Sequence, residues 1–350
     1  MKKIGIITLN SGNNYGNRLQ NYALQRALES IDCQPCTLVI NDSPSSLRLF
    51  IRRAMSKLSN TSPRISRLKM IAAKEKNFKP FSEKMLKTTV VEDIDDIVDN
   101  YDYFITGSDQ VWNPHFIRMD DTNFLSFAPK DKRISYAASF GVSEIPDDQK
   151  NFFRDNIRGI NHISVREQDG VRLVKDLAGG GAKLVPDPTM LLNEKQWSDL
   201  LPAKSQSDKK YIFIYFLRGV DPDLEKKIKD FAADRDLEIY RVMGDYYDAD
   251  HKTPDPLGFV AGIKHAEFVF TDSFHACVFS IIMKTPFKVY GRKDMKMSSR
   301  IETLLQNYHL EHAMSSGEDI SFEEYDFSGV EEIRKRGAEV GFNFLKSSLK

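Results

Sequence analysis

Three cysteines in 350 residues exclude a disulfide framework. Cys33 and Cys36 form a CxxC with neither a second pair nor nearby histidines, so they are read, with Cys277, as packing residues rather than a zinc site. Nowhere does an apolar run reach the ~20 residues of a membrane span, and no transmembrane helix is expected. Net charge is missing too: 50 Lys and Arg balance 50 Asp and Glu, which gives no global basic surface for nucleic acid. The first apolar run, MKKIGIITL, passes straight into the polar SGNNYGN without a small-residue cleavage site. It is therefore read as a first strand rather than a signal peptide, and the protein is expected in the cytoplasm. No GxGxxG follows that strand, so the dinucleotide fingerprint is absent.

What is present is alternation. Strand-length apolar runs (KIGIITL, YDYFITG, RISYAAS, HISVRE) are separated by helical patterns such as RLQNYALQRALESI. A second series restarts at KKYIFIYFL and continues through LEIYRVM, EFVFT and PFKVYG. The fold class is α/β, with two Rossmann-like doubly wound domains facing a cleft, since 350 residues exceed the size of one ordinary core. The polar, linker-like stretch from Asn193 to Lys210 sets the boundary: residues 1–195 form the first domain and 196–350 the second, with a terminal helix over 329–348. Charge is uneven along the chain. Segment 45–88 carries twelve Lys and Arg against two acids, and SLRLFIRRAMSKL aligns Leu47, Ile51, Ala54, Met55 and Leu58 on one stripe. Such a helix either packs on its own domain with a solvated basic face or makes peripheral contact with anionic lipid.

In doubly wound folds the site lies at the carboxyl ends of the strands, so the loops there are the candidates. The first, NSGNNYGN over 10–17, offers Gly12 and Gly16 for close backbone approach and a helix start for an anion. The second, TGSDQVWNP over 106–114, gathers Asp109, Gln110 and Asn113 around Trp112, a set suited to sugar hydroxyls and a ring face. Turn chemistry alone would also supply its Gly, Asp, Asn and Pro. In the third, SVRE, Arg166 leaves a strand as a clamp for carboxylate or phosphate, or as a domain-packing ion pair. The fourth, FTDSFHACVFSIIMKTPF over 270–287, puts His275 on the first turn of an otherwise apolar helix capped by Asp272 or Ser273. There the positive helix end disfavours imidazolium, and the histidine can pass a proton beside an anion. Arg292, Lys293, Lys296 and Arg300 add cations that could fold over the same helix end, whereas nothing in the sequence orders the loop carboxylates Asp187, Asp221 and Asp255.

These segments, taken in order with ISYAASFG and LVPDPTMLL, resemble the polysaccharide pyruvyl transferase family over almost the whole chain. The resemblance implies a GT-B-like transferase in surface polysaccharide biosynthesis. It would move the pyruvyl group of phosphoenolpyruvate onto two hydroxyls of a sugar as a cyclic ketal, with no cofactor and no metal. The acceptor would be the sugar of a lipid-linked oligosaccharide or polysaccharide at the inner face of the membrane. The family's histidine maps onto His275, with Asp109 as the base. The donor side then comprises Ser273, Phe274 and Arg300 of the second domain with Arg166 of the first, and the acceptor side Asn14, Tyr15, Asn17, Gln110, Trp112 and Asn113. One departure stands out: many members carry arginine where this chain has Ser273, and Arg300 is the expected replacement. Two other readings remain open, a GT-B glycosyltransferase using a nucleotide sugar and a non-catalytic carbohydrate-binding relative.

Overall fold

The computed structural model describes residues 1–10, 14–40, 62–116, 120–202, 209–217, 219–243, 251–291, 299–315, 317, 319–320 and 325–350, with side chains for all of these but 62–70 and 95. The first half runs β1 (Lys2–Ile7), α1 (Tyr15–Glu29), β2 (Cys33–Ile40), α2 (Ser62–Met85), β3 (Thr88–Val91), β4 (Tyr103–Thr106), β5 (Arg133–Ala138), α3 (Lys150–Arg158), β6 (His162–Val165), α4 (Gln168–Ala178) and β7 (Lys183–Leu184). A 3-10 turn at Pro188–Leu191 and the short α5 (Glu194–Ser198) lead into the second half. That half runs β8 (Tyr211–Phe216), α6 (Pro222–Ala233), β9 (Glu238–Met243), α7 (Pro256–Lys264), β10 (Phe268–Thr271), α8 (Phe274–Met283), β11 (Phe287–Tyr290), α9 (Ser299–Tyr308), β12 (Met314–Ser315) and α10 (Val330–Ser348).

Two parallel sheets result, ordered β3-β2-β1-β4-β5-β6-β7 and β12-β11-β10-β8-β9. In the first, strand order reverses between β1 and β4; in the second, between β8 and β10. At such a switch point two neighbouring loops diverge and leave a crevice, where ligands of doubly wound folds sit. Apolar runs without alternation mark strands covered on both faces, and all six residues of β8 are buried accordingly. Helix α8 is buried at every one of its ten positions, so the polar His275 within it is enclosed rather than solvated.

The two halves share one core. Tyr15 at the start of α1 stacks on Phe259 of α7 at 4.3 Å, and Trp197 of α5 meets Phe279 of α8 edge-on at 5.0 Å. The terminal helix, assigned above to the second domain, returns to the first sheet. Its Arg334 donates to the Met190 carbonyl, Lys2 donates to the Leu349 carbonyl and Tyr103 to the Lys350 carbonyl. Gly341 permits this crossing, since a Cβ there would lie 2.8 Å from Leu191. The stripe Leu47 to Leu58 lies outside the described residues. Within the described part of the basic segment, Lys74 is buried with its Nζ 5.0 Å above the Tyr15 ring, so that charge faces the core. Among the described residues no helix is long and apolar enough to cross a membrane.

Candidate active site

Both switch points feed one cluster of charge. From the loop after β4 comes Asp109, held at φ 64° and bridged to Ala138 at the end of β5. Arg166 follows β6 directly; its Nη1 donates to Asp187 Oδ2 at 2.6 Å and its Nη2 to Asp109 Oδ1 at 3.3 Å. Asp187 follows β7 and caps the Pro188–Leu191 turn, its Oδ1 accepting from the Thr189 amide at 3.0 Å and the Thr189 hydroxyl at 2.7 Å. Ser108 Oγ donates to Asp187 Oδ2 at 3.1 Å. The second half supplies three side chains. His275 Nε2 stands 3.5 Å from Asp187 Oδ2, an ion-pair distance when the ring is protonated. Arg300 Nη1 lies 3.8 Å from Asp109 Oδ1. The Phe274 ring has the Arg166 guanidinium 4.2 Å and the Arg300 guanidinium 5.9 Å from its centroid, a cation–π pairing that holds both planar groups.

Electrostatics follow from burial and pairing. Burial alone would raise the Asp187 carboxyl, but His275, Arg166 and the Thr189 hydrogen bond hold it well below the usual carboxylate range. Asp109 behaves alike: burial pushes its carboxyl up, and Arg166, His275 and Arg300 bring it below its ordinary value. Arg166, buried between two carboxylates, is raised against its own desolvation by Asp187 and Asp109. Both acids are therefore ionised at neutral pH. The His275 Nε2 is buried and has no hydrogen-bond partner among the described residues, leaving it a position from which to give or take a proton.

Local sequence explains the approach of the halves. The capping is done by Ser273, whose hydroxyl accepts from the Ala276 amide at 3.4 Å, while Asp272 accepts from the Leu217 amide at 2.8 Å and ties the helix start to the loop after β8. On the opposite side Asn14 caps α1, and Gly16 brings that helix end against the imidazole. A Cβ on Gly16 would stand 2.5 Å from Cγ and Cε1 of His275 and closer still to Nδ1. Gly16 was read above as room for a ligand; the room is taken by the histidine ring.

Several sequence-derived assignments change. Trp112 is fully buried, stacked on Phe124 at 5.4 Å with its Nε1 donating to the Asn123 carbonyl, so its faces belong to the core and not to a sugar. Tyr15 is buried likewise and spends its hydroxyl on the Pro254 carbonyl at 3.0 Å, which makes it a bridge between halves rather than an acceptor contact. Asn113 is fully buried, its side-chain oxygen accepting from the His115 amide at 2.9 Å in a turn. Asn17 is buried in α1, and its amide donates to the Asn14 cap at 3.2 Å. Ser273 is a helix cap. Arg166 is not an open clamp: both its terminal nitrogens meet protein carboxylates. Gln110 does join the cluster; with its amide oxygen turned to Arg300 it accepts from both terminal nitrogens at 3.2 Å. Arg292, Lys293 and Lys296 lie outside the described residues. Sequence reasoning named Asp187 among the loop carboxylates without giving it a role, and it passed over the partners Ser108 and Thr189.

The family model for polysaccharide pyruvyl transferase matches residues 14–294 of this chain. No curated protein sequence matches it. Among solved structures, the co-structure of S. aureus MnaA with UDP is similar at a TM-score of 0.52 and 12% identity, over 96% of this chain and 87% of that one. A putative UDP-N-acetylglucosamine 2-epimerase from Listeria monocytogenes gives a TM-score of 0.51 and 10% identity, over 100% of this chain and 90% of that one. At such identities the likeness is one of fold, the α/β arrangement of two facing sheets of GT-B type.

Proposed function

The chain belongs to the polysaccharide pyruvyl transferase family, and from that premise we propose that the cluster around His275 transfers the pyruvyl unit of phosphoenolpyruvate to two hydroxyls of a sugar. The observation that carries this reading is the meeting of His275, on the first turn of α8, with Asp187 and Asp109 from the facing sheet. The reaction adds one proton to the methylene carbon, forms two C–O bonds at C2 and breaks the C2–O bond to phosphate. Of the two hydroxyl protons lost by the sugar, one is balanced by the methyl group formed and the other leaves with phosphate. A protonated His275 gives the methylene its proton, and Asp187, 3.5 Å away, is the positioning residue that holds the imidazolium. Positive charge then develops at C2. An ionised Asp109 stabilises it and receives the attacking hydroxyl's hydrogen bond; its lowered pKa makes it a weak base, so its part is mainly electrostatic.

Anionic groups of the donor need cations. Arg166 sits between two carboxylates; Arg300, 3.8 Å from Asp109, and the amino end of α8 are the elements assigned to the donor's anionic groups. Arg300 thereby stands in for the arginine that the family places where this chain has Ser273. Saturation-transfer NMR of phosphoenolpyruvate with the purified protein tests the reading. Wild-type protein is expected to bind it, His275→Ala to lose the productive complex, and UDP to leave the signal unchanged. A phosphoenolpyruvate signal absent from the wild type would overturn the reading, and a signal displaced by UDP, or one from a UDP-sugar alone, would assign the cleft to a nucleotide-sugar donor instead.

A further inference from the structure

Directly after Arg166 stands a carboxylate that the transfer chemistry does not use. Glu167 is 1% exposed, and its Oε1 accepts three hydrogen bonds from the turn that follows β5: the Ser139 hydroxyl at 2.9 Å, the Phe140 amide at 2.9 Å and the Gly141 amide at 3.3 Å. Its Oε2 is buried and makes no hydrogen bond among the described residues, so the side chain spends its bonding on that turn. The turn supports the loop after β4. Ser139 donates its amide to the Asp109 carbonyl at 3.0 Å, and the Ser139 carbonyl accepts from the Trp112 amide at 3.2 Å. Gly141 lies so close to Gln110 that a Cβ there would stand 2.8 Å from Gln110 Cδ and 2.9 Å from Asn113 Nδ2. Asp109 needs such support, because a left-handed φ of 64° in a residue other than glycine persists only where the surroundings over-determine it.

We propose that Glu167 is a positioning residue: through the Ser139–Gly141 turn it sets where Asp109 and Gln110 stand, and through them where Arg300 of the second half rests. The last link is the contact between the halves, with Arg300 Nη1 3.8 Å from Asp109 Oδ1 and both terminal nitrogens 3.2 Å from the Gln110 amide oxygen. The role is one of reach rather than charge. The three donors need one oxygen at a fixed distance, and a neutral amide oxygen accepts them as a carboxylate does. Glu167 also acts on Arg166 as a charge: burial lowers that guanidinium, and Asp187, Asp109 and Glu167 raise it. Substitution separates the two effects. That the placement of Arg300 matters to the donor rests on the reading proposed above; the placement itself does not.

Glu167→Asp keeps the charge and withdraws the oxygen by one methylene, whereas Glu167→Gln keeps the reach and drops the charge. Both are compared with wild type as the full chain without ligand, through the proton–nitrogen correlation of the Arg300 Nε group, identified by its loss in Arg300→Lys. Glu167→Asp is expected to move this signal by more than its linewidth, and Glu167→Gln to leave it in place. A role in local stability alone would not reach a guanidinium in the other half. Ser139→Ala, which deletes only the hydroxyl bond to Oε1, is a milder second variant with the same expectation as Glu167→Asp should that one fail to fold. In calorimetric titration with phosphoenolpyruvate, the displaced guanidinium of Glu167→Asp is expected to cost about tenfold or more in affinity, the worth of one charge-assisted hydrogen bond, and Glu167→Gln to bind like the wild type. A wild type that binds no phosphoenolpyruvate overturns the reading above, and the ligand-free signal then decides the positioning role by itself. That role is overturned if the Arg300 signal stays put in folded Glu167→Asp or Ser139→Ala, if it moves as far in Glu167→Gln, or if Glu167→Asp keeps wild-type affinity.

Discussion

Gly16→Ala isolates the contact on which the site depends. Gly16 is the second residue of α1 and its φ is not among the positive values, so alanine meets no backbone objection. On helix propensity alone the change would be neutral or stabilising, by up to about 1 kcal/mol. The added carbon, however, would lie 2.5 Å from Cγ and Cε1 of His275, roughly an ångström inside ordinary contact. Either α1 backs away or the imidazole turns from Asp187. Overpacking of this kind costs about 1–3 kcal/mol, and displacing a reacting group by about 1 Å costs on the order of 100-fold in rate. The assay is a double-mutant cycle by urea denaturation on wild type, Gly16→Ala, His275→Ala and the pair. Gly16→Ala is expected to destabilise the wild type by about 1–3 kcal/mol but to be neutral or stabilising once the ring is gone, giving a coupling energy of that order. A coupling near zero, with Gly16→Ala harmless in both backgrounds, would refute the placement of His275 against α1.

Other perturbations follow from the same geometry. Asp187→Asn leaves Arg166 buried without its closest counter-charge, 2.6 Å away; removing one partner of such a pair is expected to cost about 3–5 kcal/mol in thermal or chemical denaturation. Acid titration reports on both carboxyls. Each is held below its ordinary value in the folded state, so its contribution is complete above the unfolded value of about 4 and is lost as pH falls through the folded one. Stability from this source should be level across neutral pH and decline only below about 4, as measured by denaturation midpoints. Trp112→Phe is expected to lower stability by about 1–3 kcal/mol through a core void while leaving binding of phosphoenolpyruvate, by saturation-transfer NMR, at the wild-type level.

The sheets were legible because β-rich apolar runs of strand length leave little else for the chain to do, and the restart at KKYIFIYFL announced a second sheet. His275 was legible for a similar reason: a polar ring in a helix buried at every position needs a partner. Asp187 was not. Asp-Pro occurs at 187, 221 and 255, and all three aspartates cap the turn or helix that follows by accepting from a backbone amide two or three residues on. Only the tertiary fold, by setting Arg166 and His275 beside the first of them, separates it from the other two. The loop after β4 misled in the opposite sense. Its composition suggested one surface, but Asp109 and Gln110 reach the charge cluster while Val111 and Trp112 turn into a core with Phe124 and Phe140. Local sequence does not record which side of a turn faces the crevice.

Ownership of the charges gives the site its dependence on the pairing of the halves. Asp109, Arg166 and Asp187 all come from the first sheet and hold one another at 2.6–3.3 Å. Phe274, His275 and Arg300 come from the second half, and their charged contacts to that set are longer, at 3.5 and 3.8 Å. A change in the angle between the sheets therefore alters the His275–Asp187 and Arg300–Asp109 distances before it disturbs any pair within the first half. Two carboxylates against Arg166 alone carry a net negative charge; Arg300 from the second half cancels it, and a protonated His275 would turn it positive. The charge balance at the site thus depends on the side chains that the second half brings to it.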